Sequence, residues 1–242
     1  MIGKLEIVAD EAALADAATE RFISDASAAI RERGVFNVSL AGGSTPKAMY
    51  GRLAAEPLRA KVDWDAIRFY FGDERCVPPD HPDSNYGMAR QYLFTPLGIP
   101  DDRVYRIRGE AEPQAAAAEY EDVLRRTLGS EPALDLVFLG MGPEGHTASL
   151  FPGTFQQFDA QHLVVTTFVE KLHANRVTLT PYAINAARAI VVVAGGESKA
   201  DALAHVLSGA REPDVYPAQI LSPRHGTLTW LVDRAAAGGL SA

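Results

Sequence analysis

Apolar positions along this chain fall into two alternating patterns. Short apolar-rich runs (KLEIVA, FNVSLA, IRFYFG, RVYRI, LDLVFLG, HLVVTTFV, RVTLT, AIVVVA and TLTWLVD) predict strands. Between them, the stretches near residues 11–33, 46–55, 84–93, 113–128, 146–151, 182–187, 197–207 and 233–237 carry helical spacing. FNVSLA, LDLVFLG and AIVVVA lack clean alternation, as expected for strands covered on both faces. Strand and helix patterns that alternate in this way predict an α/β fold, a doubly wound, mainly parallel sheet with helices on both faces. Neither repeat nor flexible linker interrupts the pattern. Residues 1–242 therefore read as a single domain ending in a frayed AAAGGLSA tail.

In such sheets the ligand lies beyond the carboxyl ends of the strands. Four strand ends here run into polar, glycine-rich loops: AGGSTPKAMY, DERCVPPDHPDSN, GMGPEGHTASLFPG and GGESKADAL. The third contains G-x-G-x-x-G at residues 140–145, the pattern of a dinucleotide-binding loop. That reading needs a full-length helix after the third glycine and an acidic residue at the end of the next strand. Pro152-Gly153 stops the expected helix after a short run, and Asp159 precedes the next strand instead of ending it. No dinucleotide is expected. The residue after the last glycine, His146, stands at the junction of loop and helix, where an imidazole is a base at neutral pH.

The other loops suggest anion binding. Gly42 and Gly43 let the backbone turn before a helix for which Thr45 is a good N-cap and Pro46 a good first residue. Backbone N–H groups at such an end form an anion site. Lys199 falls in the first turn of the helix after AIVVVAGG, where a cation is unfavourable unless an anion offsets it. Asp73 and Arg75 follow IRFYFG in what reads as a turn and present a carboxylate and a guanidinium. Cys76 has no evident base beside it, and Arg176 opens RVTLT.

Charge sharpens this picture. The chain has 31 acidic and 23 basic residues, a net charge of −8, which argues against a nucleic-acid partner. An anionic ligand must then be held by a few concentrated donors. No apolar run is long enough to span a membrane. The single cysteine and the leaderless start MIGKLEIVAD point to the cytoplasm. The six histidines never pair at i,i+3 or i,i+4 and no C-x-x-C occurs, so neither a metal nor another cofactor is expected. The absence of G-x-S-x-G argues against a serine hydrolase of the α/β-hydrolase type.

Taken together, SLAGGSTPKAMY, FGDERCVPPDHPDSNYGMAR, LDLVFLGMGPEGHTASLFPG, RVTLTPYAINAARAIVVVAGGESKADAL and LTWLVDRAAA strongly resemble the 6-phosphogluconolactonase family. That family is related in fold to glucosamine-6-phosphate deaminase and ribose-5-phosphate isomerase. The resemblance implies cofactor-free hydrolysis of 6-phospho-D-glucono-1,5-lactone to 6-phospho-D-gluconate in the oxidative pentose phosphate pathway. It implies His146 as general base, Arg75 at the developing oxyanion or sugar oxygens, and Asp73 orienting hydroxyls. The phosphate is expected against Arg176, Lys199 and the Gly42-Gly43-Ser44-Thr45 turn. Glu144 stands where the family usually has aspartate, which keeps the carboxylate but lengthens it. The expected partner is a small phosphorylated sugar lactone, bound by a monomer or small homo-oligomer. Two rivals share the resemblance: an amino-sugar-phosphate deaminase or isomerase, and a non-catalytic sugar-phosphate sensor domain.

Overall fold

The computed structural model describes residues 3–129, 132–154 and 162–240, so Asp159 lies outside the described residues. Its strands are β1 (Lys4–Val8), β2 (Phe36–Leu40), β3 (Ile67–Phe71), β4 (Asp73–Arg75), β5 (Leu136–Gly140), β6 (Val164–Val169), β7 (Ala174–Leu179), β8 (Ala189–Ala194) and β9 (Thr227–Asp233). The helices are α1 (Glu11–Arg33), α2 (Ser44–Leu53), α3 (Asn85–Ala89), α4 (Thr95–Leu97), α5 (Pro113–Leu128), α6 (Pro181–Ile184) and α7 (Ala200–Ser208). Six strands form a wholly parallel sheet in the order β1-β9-β8-β5-β2-β3. The expected α/β class with a mainly parallel sheet is what forms. Every residue of β8 is buried, which accounts for its unbroken apolar run.

The strand order places the site. From β2 the chain moves outward to β3, whereas β5, β8 and β9 succeed one another in the opposite direction. The order reverses between β2 and β5, and a crevice opens there because the loops leaving the two strand ends diverge. The residues at those ends are Leu40-Ala41-Gly42 and Gly140-Met141-Gly142.

The remaining strands depart from the expectation of one sheet. β4, β7 and β6 form a separate antiparallel sheet in that order. Gly72 is the pivot: its N–H donates to Leu40 O of the parallel sheet at 3.1 Å, and its carbonyl accepts from Leu179 N of the second at 2.8 Å. Asp73-Glu74-Arg75, expected as a turn, is thus a strand paired with β7. The neighbouring edge of β3 is closed by Tyr120, whose hydroxyl accepts from Phe71 N at 2.8 Å and donates to Phe71 O at 2.9 Å.

Three further expectations are corrected. RVYRI forms no strand; it makes only a single bridge, Phe69 with Val104. Residues 146–151 form no helix but a chain of tight turns, with Ala148 at φ 48° and Thr147 bridged to Leu150. The closing segment holds β9 through Asp233, and Ala236 is fully buried in a 3-10 turn over Ala236–Gly239. Helix α1 packs on α2 and β9, and α5 on β6 and β7. Among the described residues no helix is long and apolar enough to cross a membrane.

Candidate active site

A cavity of about 270 Å³ occupies the crevice at the switch point. Its walls include Gly42, Gly43, Ser44 and Thr45 from the β2–α2 loop and Asp73 and Arg75 from β4. His146 and Lys199 complete the set, so the topology brings eight sequence-selected residues onto one rim. Glu144 and Arg176 do not line the cavity themselves, but each bears on residues that do.

The glycines of GMGPEGH aim His146. After β5, Gly145 N–H donates to Gly142 O at 3.0 Å and Gly142 N–H to His146 O at 2.8 Å, closing a tight turn. Gly145 sits at φ 79°, where a side chain is strained. Gly142 has a different reason to be glycine: a Cβ there would lie 2.0 Å from His146 Nδ1. The backbone passes directly under the imidazole. Thr147 Oγ1 donates back to Gly140 O at 2.8 Å, and the His146 ring stacks on Phe151 with centroids 4.2 Å apart. A turn, not a helix start, holds the histidine.

Two carboxylates flank it. Glu144 Oε2 lies 3.1 Å from His146 Nδ1. Both atoms are buried and neither makes a well-aligned hydrogen bond, so a small ring rotation would complete the contact. Glu144 Oε1 accepts from Lys171 Nζ. Asp73 is fixed from two sides: Ser149 Oγ donates to its Oδ2 at 2.6 Å, and Asn85 Nδ2 to its backbone carbonyl at 2.9 Å. Burial is the main reason that the His146 pKa is pushed down to about 4; the Asp73 carboxylate opposes the shift, and Lys199, Arg176 and Arg75 reinforce it. At neutral pH the ring is therefore uncharged and able to take a proton.

Strand alternation explains the other charges. Asp73 and Arg75 face the cavity, whereas Glu74 turns the opposite way and is buried. Glu74 caps α3, accepting from Asn85 N and Tyr86 N at 2.8 Å and from Ser84 Oγ at 3.1 Å. This ties down the segment whose Asp83 carbonyl accepts from Arg75 Nη1. Arg75 and Arg176 are Cα partners across β4 and β7. Burial first, and Arg75 next, lower the pKa of Arg176. Burial and then Lys171 lower that of Lys199. Cations crowded in this way are stabilised by an incoming anion.

Helix α2 begins two residues earlier than expected. Gly43, at φ 111°, is the N-cap in place of Thr45, and no side chain caps the end. The first N–H groups of α2 thus face the cavity as an anion-binding end. Sequence reasoning passed over Ser149, Asn85 and Lys171. Ser149 and Asn85 stand inside loop stretches that had drawn attention, but Lys171 gave no signal. Among the described residues no group of three or more His, Cys, Asp or Glu side chains is placed to hold a metal ion.

Fold and site together define an α/β protein with a histidine-centred, cation-lined cavity at the switch point of a parallel sheet. The chain belongs to the family described as glucosamine-6-phosphate isomerases/6-phosphogluconolactonase, whose family model matches residues 9–230. A 6-phosphogluconolactonase from a Nostoc species is 38% identical over 242 residues, covering 98% of each chain. One from Haemophilus influenzae is 38% identical over 200 residues, covering 83% of this chain and 85% of that one. The solved structure of 6-phosphogluconolactonase from Trypanosoma cruzi superposes with a TM-score of 0.88 at 31% identity, covering 100% of this chain and 99% of that one.

Proposed function

We propose that this protein hydrolyses 6-phospho-D-glucono-1,5-lactone to 6-phospho-D-gluconate, the lactonase step of the oxidative pentose phosphate pathway. The observation that carries the reading is the neutral His146, held against Glu144 at 3.1 Å and facing a cavity ringed by cations. The similarity to curated lactonases over nearly the whole chain supports the substrate class.

The geometry supports the following steps. Glu144 favours the tautomer with the proton on Nδ1, which leaves Nε2 free as an acceptor. That nitrogen removes a proton from the water that attacks the lactone carbonyl. Negative charge then develops on the carbonyl oxygen, where Arg75 stabilises it. The imidazolium formed is stabilised by Glu144 and Asp73. On collapse of the tetrahedral intermediate the ring C–O bond breaks, and the proton returns from His146 to the departing ring oxygen. Asp73, fixed by Ser149 and Asn85, orients the sugar hydroxyls. Lys199 and the Gly42-Gly43-Ser44-Thr45 end of α2 hold the 6-phosphate, with Arg176 adding charge from beside Arg75, its cross-strand partner.

The reaction as written uses no metal or other cofactor, so exhaustive chelation should leave the rate unchanged. The protein acts on its small-molecule substrate in the cytoplasm as a single α/β domain, monomeric or in a small homo-oligomer, without nucleic acid or membrane. Acid release from freshly generated lactone, followed by pH-stat and corrected for spontaneous hydrolysis, tests the proposal. A rate no faster than the spontaneous one would overturn it.

A further inference from the structure

Lys171 belongs to the 3-10 turn Glu170–Leu172 that joins β6 to β7, and its side chain is 56% exposed. It reaches back across the fold to two groups, and both of them touch His146. Its Nζ donates to Glu144 Oε1, while Glu144 Oε2 lies 3.1 Å from His146 Nδ1. The same Nζ sits 5.6 Å over the centroid of the Phe151 ring, which stacks on the imidazole at 4.2 Å. One ammonium group thus spans the carboxylate on one nitrogen of the histidine and the aromatic ring on its face. A solvated lysine on a hairpin tip has no need of either contact.

We propose that Lys171 is a positioning residue for the general base: it holds Glu144 with one oxygen turned to His146 Nδ1, and so fixes the histidine's tautomer and orientation from the β6–β7 turn. The inference rests on the assignment of His146 as the base. Glu144 is a long side chain that otherwise swings on three torsions, and Lys171 anchors the oxygen that does not face the ring. It also offsets part of the Glu144 charge. The other charged groups around His146 are Asp73 and Arg75 from β4, Arg176 from β7, and Lys199 from the turn before α7. Of these cations and Lys171, only Lys171 is bonded to Glu144.

The sign of the electrostatic effect follows. Without the ammonium, Glu144 acts on the imidazole with its full charge, so His146 should hold its proton to higher pH. Loss of orientation should lower kcat about tenfold, the lower end of the effect of removing a group that orients a functional histidine. The test compares Lys171→Met, Lys171→Arg and Glu144→Gln with Lys171→Met/Glu144→Gln. Steady-state kinetics are measured for each variant alongside an imidazole ¹⁵N titration, with the His146 signals identified from their loss in His146→Asn.

The expected result is a fall in kcat with KM little changed, and a His146 titration moved to higher pH in Lys171→Met. Lys171→Arg should restore both, and the Lys171 effect should vanish in the Glu144→Gln background. A raised KM with kcat and titration unchanged would overturn the proposal and make Lys171 a substrate-binding residue. Unchanged kinetics and titration together would also overturn it. The titration is read without substrate, so absence of lactonase activity in the wild type refutes the proposed function while the Lys171–Glu144–His146 coupling is still measured.

Discussion

Gly142→Ala isolates the geometry of the base from its chemistry. A Cβ built on Gly142 would lie 2.0 Å from His146 Nδ1, 2.1 Å from its Cε1 and 2.7 Å from Glu144 Oε2. Ordinary contact requires about 3.5 Å, so the imidazole must retreat by about 1.5 Å. The backbone itself is unstrained, because Gly142 is not among the residues at positive φ. Repacking the added methyl costs on the order of 1–3 kcal/mol, which a folded domain survives. Catalysis is less tolerant: a misplacement of about 1 Å can lower the rate by about 10²-fold. The variant should therefore melt cooperatively close to the wild type while kcat in the pH-stat assay falls by about 10²-fold or more. Adding His146→Asn to it should cost nothing beyond His146→Asn alone, since both changes remove the same function. A folded Gly142→Ala protein with wild-type kcat would refute the claim that the passage of this backbone under the ring sets the position of the base.

Arg75→Ala should lower kcat by about 10²–10³-fold if its guanidinium meets the oxyanion, as loss of such a donor costs about 2.7–4 kcal/mol; an effect confined to KM would leave it only a binding role. Lys199→Ala should reduce kcat/KM by about ten- to a hundredfold on the phosphorylated lactone, the scale of a charge-assisted hydrogen bond, and Arg176→Ala by less, since Arg176 does not line the cavity. The unphosphorylated lactone should be a poor substrate and should be little affected by either change; equal losses on both lactones would refute the phosphate assignment. Stability should also carry the signature of His146. Its pKa is about 4 in the folded chain against an ordinary 6.5, so the unfolded chain binds more protons across that window and stability falls as pH drops through it. The loss is at most about 1.4 kcal/mol per pH unit, and His146→Asn should lose less than the wild type between pH 7 and pH 4 by calorimetry.

How far sequence reached depended on what each segment is buried against. The strands LVFLG and AIVVVA were legible because near-complete burial writes an unbroken apolar run, and FNVSL because its apolar Phe36, Val38 and Leu40 are all buried. DER was not, since a three-residue strand at a polar rim shows neither length nor hydrophobicity. Its role became visible only through the alternation that sends Asp73 and Arg75 to the cavity and Glu74 into α3. The turns over residues 146–151 were read as helix because nothing local opposes one. Tertiary bonds decide otherwise: Ser149 N–H donates to Thr178 Oγ1 at 3.2 Å and Ser149 Oγ to Asp73. Lys171 was invisible for the same reason, as its partner Glu144 lies 27 residues away in the chain. His146 and the glycine loops, by contrast, were legible from strand-end position alone.

The central claim is that a partly buried, neutral His146 drives hydrolysis of the phosphorylated lactone. Its most direct test is kcat/KM against pH for the wild type and His146→Asn, with spontaneous hydrolysis subtracted at every point. The account predicts a rate far above the spontaneous one, level from neutral pH to about pH 5 and falling toward the His146 pKa of about 4. It predicts a loss of about 10²–10⁴-fold in the variant. Hydrolysis at the spontaneous rate, or an asparagine variant as fast as the wild type, would contradict it.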